Sequence, residues 1–144
     1  MNNFFTQPLF KIDTLSGFVA LAIGIFTVLV IVYSFKFKKG PGLIKYYTYI
    51  ILTAISAVLA VLANNLILLL VFWGFLGLIL YLLILMGDQD SPLVAKKALI
   101  IVGGSDALMV LGIGIIYYFS QSFQMSQIRL ELNNGLLILA YICI

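Results

Sequence analysis

Charge is what this sequence has least of. Only 9% of its 144 residues are Asp, Glu, Lys or Arg, whereas an ordinary soluble domain has about 25%. Hydrophobic residues make up 64% of the chain, and the mean hydropathy is +1.21. A chain of this composition has too few polar side chains to cover its own surface in water, so the composition excludes a soluble enzyme.

Histidine is absent and there is one cysteine, Cys143. These absences exclude metal sites built on imidazole or paired thiolates, an internal disulfide, and serine–histidine or cysteine–histidine catalysis on this chain alone. We therefore expect no cofactor on this chain. Because Cys143 lies in an apolar run, we expect it to be a small buried hydrophobic side chain.

Long apolar runs are what the sequence has in place of charge. The longest, residues 46–87, is 42 residues without a charge and would be about 63 Å long as one helix, twice a hydrocarbon core of about 30 Å. It must cross a bilayer twice, and the polar pair Asn64-Asn65 predicts the turn. We predict an all-α, polytopic transmembrane helix bundle, with residues 1–144 as a single transmembrane region: four full spans at about 15–35, 46–63, 66–86 and 98–119, and an incomplete fifth starting at 135–144.

Lysines cluster in two segments between the spans. Lys36, Lys38, Lys39 and Lys45 lie in the first, and Lys96 and Lys97 in the second. This is the positive-inside pattern of membrane proteins and not a phosphate-binding face, so we expect the lipid bilayer and no nucleic acid as a partner. The pattern predicts a multi-pass protein of the cell (plasma or inner) membrane with its N-terminus outside.

The last apolar run, residues 135–144, is too short to cross. As a helix it would cover about 15 Å, half of the hydrocarbon thickness. Unpaired backbone carbonyls at its end would face lipid, which is costly. We therefore expect either that a partner covers this end or, as we favour, that the sequence is a segment of something longer.

Asp106 is the one ionisable residue well inside a predicted span. A charge there costs about 2.5–3.5 kcal/mol on insertion scales, so such a residue normally faces a partner, a cavity or an ion path. Two interpretations stay open: a proton or cation relay, or a protonated carboxyl that bonds a neighbouring helix. Lys97 begins the same helix, directly before that span, and nine residues of helix place it on the face opposite Asp106, so any coupling between them must pass through other helices or water.

Several short stretches resemble the antiporter-like subunits of respiratory complex I. They are Lys11-Ile12-Asp13-Thr14-Leu15-Ser16, Asn64-Asn65-Leu66, Phe72-Trp73, Tyr81-Leu82-Leu83-Ile84, Lys97-Ala98 with Asp106 following in register, and Asn133-Asn134-Gly135. The chain is most similar to the large subunit at the distal end of the membrane arm. The same family includes Mrp-type sodium/proton antiporter subunits and energy-converting hydrogenase subunits.

The resemblance implies a partial chain of a membrane-arm subunit in an NADH:quinone oxidoreductase-like complex, translocating protons (or Na⁺) coupled to electron transfer. It implies other membrane subunits of a respiratory or hydrogenase complex as partners, which would carry the redox sites. The resemblance implies that Asp106 and Lys97 are relay residues, because they match positions of the family's proton relay. Two positions depart from the family: Gly74 stands where a buried glutamate is usual, and Gly103 where an arginine is often found.

The departure at Gly74 leaves other functions open, because glycine cannot bind a proton. One alternative is a non-pumping structural subunit of a membrane complex, and another is an Mrp-type cation/proton antiporter subunit. A self-contained four-helix transporter acting as an oligomer is disfavoured by the short last helix and by the absence of an acid inside the first three spans.

Overall fold

Helices make up most of the residues that the computed structural model describes, 9–40, 42–87, 90–129 and 134–144. Its helices are α1 (Thr14–Phe37), α2 (Leu43–Leu62), α3 (Leu66–Leu85), α4 (Ser91–Ser120) and α5 (Gly135–Cys143), with a single 3₁₀ turn at Met125–Gln127. The first four are long and apolar enough to cross a membrane. The predicted fold class, an all-α membrane protein with four full spans and a short fifth helix, is confirmed.

The helices pack in chain order, each mainly against the next. The principal contacts are α1 with α2, α2 with α3, α3 with α4 and α4 with α5. Most large apolar side chains of α1 and many of those on the other helices are exposed. Such an apolar exterior suits lipid or other membrane helices and not water.

The largest difference from the predicted spans is at the start of α4. The helix begins at Ser91, seven residues before position 98, so Lys96 and Lys97 lie in its second turn and not in a loop. Pro92 stands in the first turn, where its missing N–H costs no hydrogen bond. Lysines near a helix end keep their charge in water through long flexible stems, so they do not end the helix.

The predicted Asn64-Asn65 turn is confirmed and forms the centre of one end of the molecule. Both side chains are buried, and the Asn65 side chain caps α3 by accepting a hydrogen bond of 2.9 Å from the Ile67 amide. Residues on both sides of this turn bond two other segments of backbone: Asn64 N–H to Leu9 O (2.8 Å), Lys11 N–H to Leu62 O (2.9 Å), Leu66 N–H to Phe123 O (2.9 Å) and Met125 N–H to Asn64 O (3.0 Å). We call this end the junction face.

The junction face brings the start of α1, the α2–α3 turn and the segment after α4 to one side. This agrees with the topology predicted from the lysines, which placed the same three segments on one side of the membrane. The loop charges Asp88 and Glu131, and Asn133 of the family resemblance, lie outside the described residues.

The opposite end of the molecule holds a polar contact between α1 and α2. The Ser34 and Tyr46 hydroxyls are 3.0 Å apart, and the Lys38 ammonium lies 5.4 Å from the centre of the Tyr46 ring. The backbone enters α2 through Gly42, whose φ of +95° is in the left-handed region that glycine adopts without steric cost.

Candidate ion-relay site

Asp106 lies at the middle of α4, fifteen residues after Ser91 and fourteen before Ser120. Its carboxylate points to α3, where the Trp73 indole Nε1–H donates a hydrogen bond of 3.0 Å to Oδ1. Asp106 is partly buried, and Trp73 remains 48% exposed. The one acid within the predicted spans is therefore held by a neutral donor from the neighbouring helix.

Gly77 lies beside the second oxygen of the carboxylate. A Cβ at this position would stand 3.8 Å from Asp106 Oδ2 and 3.2 Å from Val102 Cγ1. Trp73 and Gly77 are four residues apart and so lie on the same face of α3. On that face, Trp73 presents its indole to α4, and Gly77, one turn later, presents no side chain. The Asp106 carboxylate lies between these two positions.

The chemistry of the two partners assigns different roles to the two carboxylate oxygens. An indole N–H is a donor only, so Trp73 neither accepts nor relays a proton. Oδ1 can accept from Trp73 whether Asp106 is ionised or protonated. The proton of the neutral acid then belongs on Oδ2, the oxygen beside Gly77.

Lys97 and Asp106 are not brought together. They are nine residues apart on one helix, which separates them by about 13.5 Å along the axis and by half a turn around it. Lys97 is exposed, while Asp106 bonds α3. Any exchange between the two must use groups other than a direct ion pair, as the spacing predicted.

The two glycines that depart from the family pattern both stand in open surroundings. A Cβ at Gly74 or at Gly103 would meet nothing within 4 Å. Close packing of a neighbouring element therefore does not require a glycine at either position. Among the described residues no group of three or more Cys, Asp or Glu side chains is arranged to hold a metal ion.

The pairing of Trp73 with Asp106 is not among the predictions made from the sequence. A signal for the pairing was present. Trp73 and Tyr81 are the only residues of α3 with polar side-chain atoms, so an acceptor for the indole N–H had to come from a neighbouring helix. A buried or lipid-facing indole usually finds such an acceptor.

The side chain of Cys143 is less buried than expected. It is partly and not fully buried. It lies on α5 where that helix crosses Gly112, and a Cβ on Gly112 would stand 3.2 Å from Cys143 Cβ. The thiol therefore marks the α4–α5 contact.

Comparison with known proteins gives two relatives of the same kind. The chain is 28% identical over 139 residues to the NAD(P)H-quinone oxidoreductase subunit 5, chloroplastic, of Chlorokybus atmophyticus, covering 94% of this chain and 21% of that protein. It is 31% identical over 122 residues to the protein of the same name from Adiantum capillus-veneris, covering 83% of this chain and 17% of that protein. The resemblance to the complex I antiporter-like subunits is confirmed.

Similarity to subunit 5 extends over most of this chain but over a small part of its relatives. The chain spans about a fifth of the length of the curated proteins it matches. No family model matches it, and neither does any solved structure. Together with the four apolar helices, the similarity identifies a multi-pass membrane protein.

Proposed function

We propose that this chain is a membrane-arm segment of an NADH:quinone oxidoreductase-like complex and takes part in proton (or Na⁺) translocation coupled to electron transfer. The observation that carries the proposal is the similarity to subunit 5 over 94% of the chain. Other membrane subunits of the complex would be its partners and would hold the redox chemistry. The cell (plasma or inner) membrane, with the junction face outside, is the location that the lysine pattern favours.

Asp106 is the residue to which we assign the relay. It combines a central place on α4 with one oxygen held by Trp73 and the other beside a glycine. A carboxyl group held at one oxygen keeps its orientation while the other gains and loses a proton. Lys97 is exposed and near the start of α4. It would act as a separate proton-binding group of the relay, at the edge of the membrane.

Replacing Asp106 by asparagine tests this assignment. Asparagine keeps a carbonyl oxygen that can accept a hydrogen bond from Trp73, but its side chain cannot bind and release a proton. The variant therefore loses proton transfer at this position and keeps the hydrogen bond between α3 and α4. In membranes that contain the whole complex, we expect Asp106→Asn to lower the number of protons taken up per NADH oxidised. Asp106→Glu should restore part of the uptake.

A neighbouring substitution is the matched control. Ser105 precedes Asp106 in α4, and its hydroxyl donates within the helix to Val102 O at 3.0 Å and Ile101 O at 3.2 Å. We expect Ser105→Ala to leave proton uptake unchanged. Normal uptake by the Asp106→Asn complex would remove Asp106 from the relay.

The hydrogen bond between Trp73 and Asp106 also favours a second function, a non-pumping structural subunit. In that case the carboxyl joins α3 to α4 and the chain braces the complex. Asp106→Asn would then leave both uptake and assembly intact, whereas Asp106→Leu, which has no acceptor, would reduce assembly. The two functions thus predict opposite results for the asparagine variant.

A further inference from the structure

Two cavities lie along α1 and α2, on the side of the molecule away from Asp106. The first, about 440 Å³, opens at the junction face. Its polar lining comes from Lys11, Asp13, Ser16, Asn64 and Ser126. It presents an ammonium, a carboxylate and hydroxyl groups at the level where α1 begins.

The second cavity, about 320 Å³, lies between α1 and α2. Its lining is Ile23, Gly24, Thr27, Ala54, Ile55 and Val58. The one polar side chain among these, Thr27, donates its hydroxyl to Ile23 O at 2.7 Å. Gly24 helps to leave the space open, because a Cβ there would meet nothing within 4 Å.

The two cavities follow one another along the same two helices, and together we call them the crevice. Val19 and Val61 line the first cavity, and Ile23 and Val58, one helical turn further along α1 and α2, line the second. From Ser16 to Thr27 the crevice follows α1 for about 16.5 Å. Half of a hydrocarbon core is about 15 Å, so the crevice has the depth of one leaflet.

We propose that this crevice binds one phospholipid with a phosphoethanolamine headgroup, with an acyl chain between α1 and α2. A polar end at the membrane boundary and an apolar groove one leaflet deep match the two parts of such a molecule. Lys11 would bind the phosphate and Asp13 the primary ammonium. The headgroup thus meets a partner of opposite charge for each of its own charges.

The ion pair between Lys11 and Asp13 does not block this binding. Their side chains are 3.4 Å apart and 53% and 59% exposed. An exposed pair of this kind contributes about 0–1 kcal/mol. A zwitterionic headgroup offers both side chains a replacement for the contact they give up.

Native mass spectrometry of the purified full chain tests the proposal. Phosphatidylethanolamine and phosphatidylglycerol with the same acyl chains are added in turn, and bound lipid is counted per protein. We expect one phosphatidylethanolamine to be retained about fivefold more than phosphatidylglycerol, which corresponds to about 1 kcal/mol. Asp13→Asn should remove this preference, because phosphatidylglycerol has no ammonium for the carboxylate to bind.

Gly24→Leu tests the groove, and Gly17→Leu is its matched control. Both glycines are in α1 and both have open space at Cβ, but only Gly24 lines the groove between α1 and α2. We expect Gly24→Leu to lose most of the bound lipid and Gly17→Leu to keep it. Because the two changes add the same side chain to the same helix, a general loss of folding would affect both.

Three results would overturn the proposal. They are equal retention of the two lipids by the unmodified chain, equal lipid loss from the two leucine variants, and a change in oligomeric state for Gly24→Leu without lipid loss. The last would mean that a second copy of the chain occupies the groove. Asp13 is the N-cap of α1, and asparagine is about as favourable at that position as aspartate, so Asp13→Asn keeps the headgroup test decisive if Gly24→Leu does not fold.

Discussion

Trp73 on α3 and Asp106 on α4 are joined by a hydrogen bond of 3.0 Å from the indole Nε1 to the carboxylate Oδ1. It links two apolar helices that otherwise meet through hydrocarbon side chains near the centre of α4. A carboxylate in this setting is costly without a donor. The contact therefore stabilises the α3–α4 pair and distinguishes Oδ1, which accepts from the indole, from Oδ2.

Removing the indole donor should weaken the α3–α4 pair. Trp73→Phe keeps an aromatic ring but leaves Oδ1 without its partner, and we expect the free energy of unfolding in mixed micelles to fall by about 1–3 kcal/mol. Phe75→Leu is the control, because Phe75 is also on α3 and about as exposed, at 49%. Equal losses for the two variants would show that ring volume and not the hydrogen bond accounts for the effect.

A side chain at Gly77 should displace α4, whereas one at Gly74 should not. At Gly77 the added Cβ would stand 3.2 Å from Val102 Cγ1, while at Gly74 it would meet nothing within 4 Å. Gly77→Leu should destabilise the chain by about 1–3 kcal/mol through overpacking, with Gly74→Leu close to the unmodified chain. Unfolding titrations of both variants would check this, and similar stabilities would contradict the close approach of the helices at Gly77.

Much of the architecture follows from composition and spacing, and the site follows only in part. The lack of charge between Lys45 and Asp88 sets the membrane class, and the Asn64-Asn65 pair sets the turn. The early start of α4 at Ser91 does not follow from the pattern, because lysines between two apolar runs are typical of a loop, although flexible lysine stems tolerate a helical position near the interface. The Trp73–Asp106 contact does not follow from the sequence, because it depends on how α3 and α4 are rotated against each other, which spacing along one chain does not determine.

The cap on α3 should be important for the junction face. Asn65 accepts from the Ile67 amide at 2.9 Å and is 2% exposed, so Asn65→Ala leaves the Ile67 amide without its side-chain acceptor. We expect a loss of about 0.5–2 kcal/mol in unfolding free energy. Asn65→Ser, which retains an oxygen at the cap, should recover most of it, and failure of serine to recover any would assign the loss to another role of Asn65.

The single thiol reports on how α5 sits against α4. A Cβ on Gly112 would come 2.7 Å from Ile144 Cγ1, 3.1 Å from Ala140 O and 3.2 Å from Cys143 Cβ, whereas at Gly114 it would meet nothing within 4 Å. Gly112→Leu should push α5 away and raise the rate of maleimide labelling at Cys143 several-fold. Gly114→Leu adds the same side chain one half-turn away, and a matching rise in its labelling rate would rule out close packing at Gly112.

Placing an acid at Gly74 tests whether the glycine there limits the translocation proposed above. Open space at this position accepts a glutamate without displacing a neighbour, and the residue before it is the donor to Asp106. If the relay proposed for Asp106 operates, Gly74→Glu adds to it a second proton-binding group, located on α3 next to Trp73. Proton uptake per NADH oxidised should then rise in the whole complex. Gly74→Gln, which has the same size but no titratable group, separates proton binding from side-chain volume. An equal effect of glutamate and glutamine, or no effect of either, would show that the glycine does not limit translocation and would favour the structural function for this part of the chain.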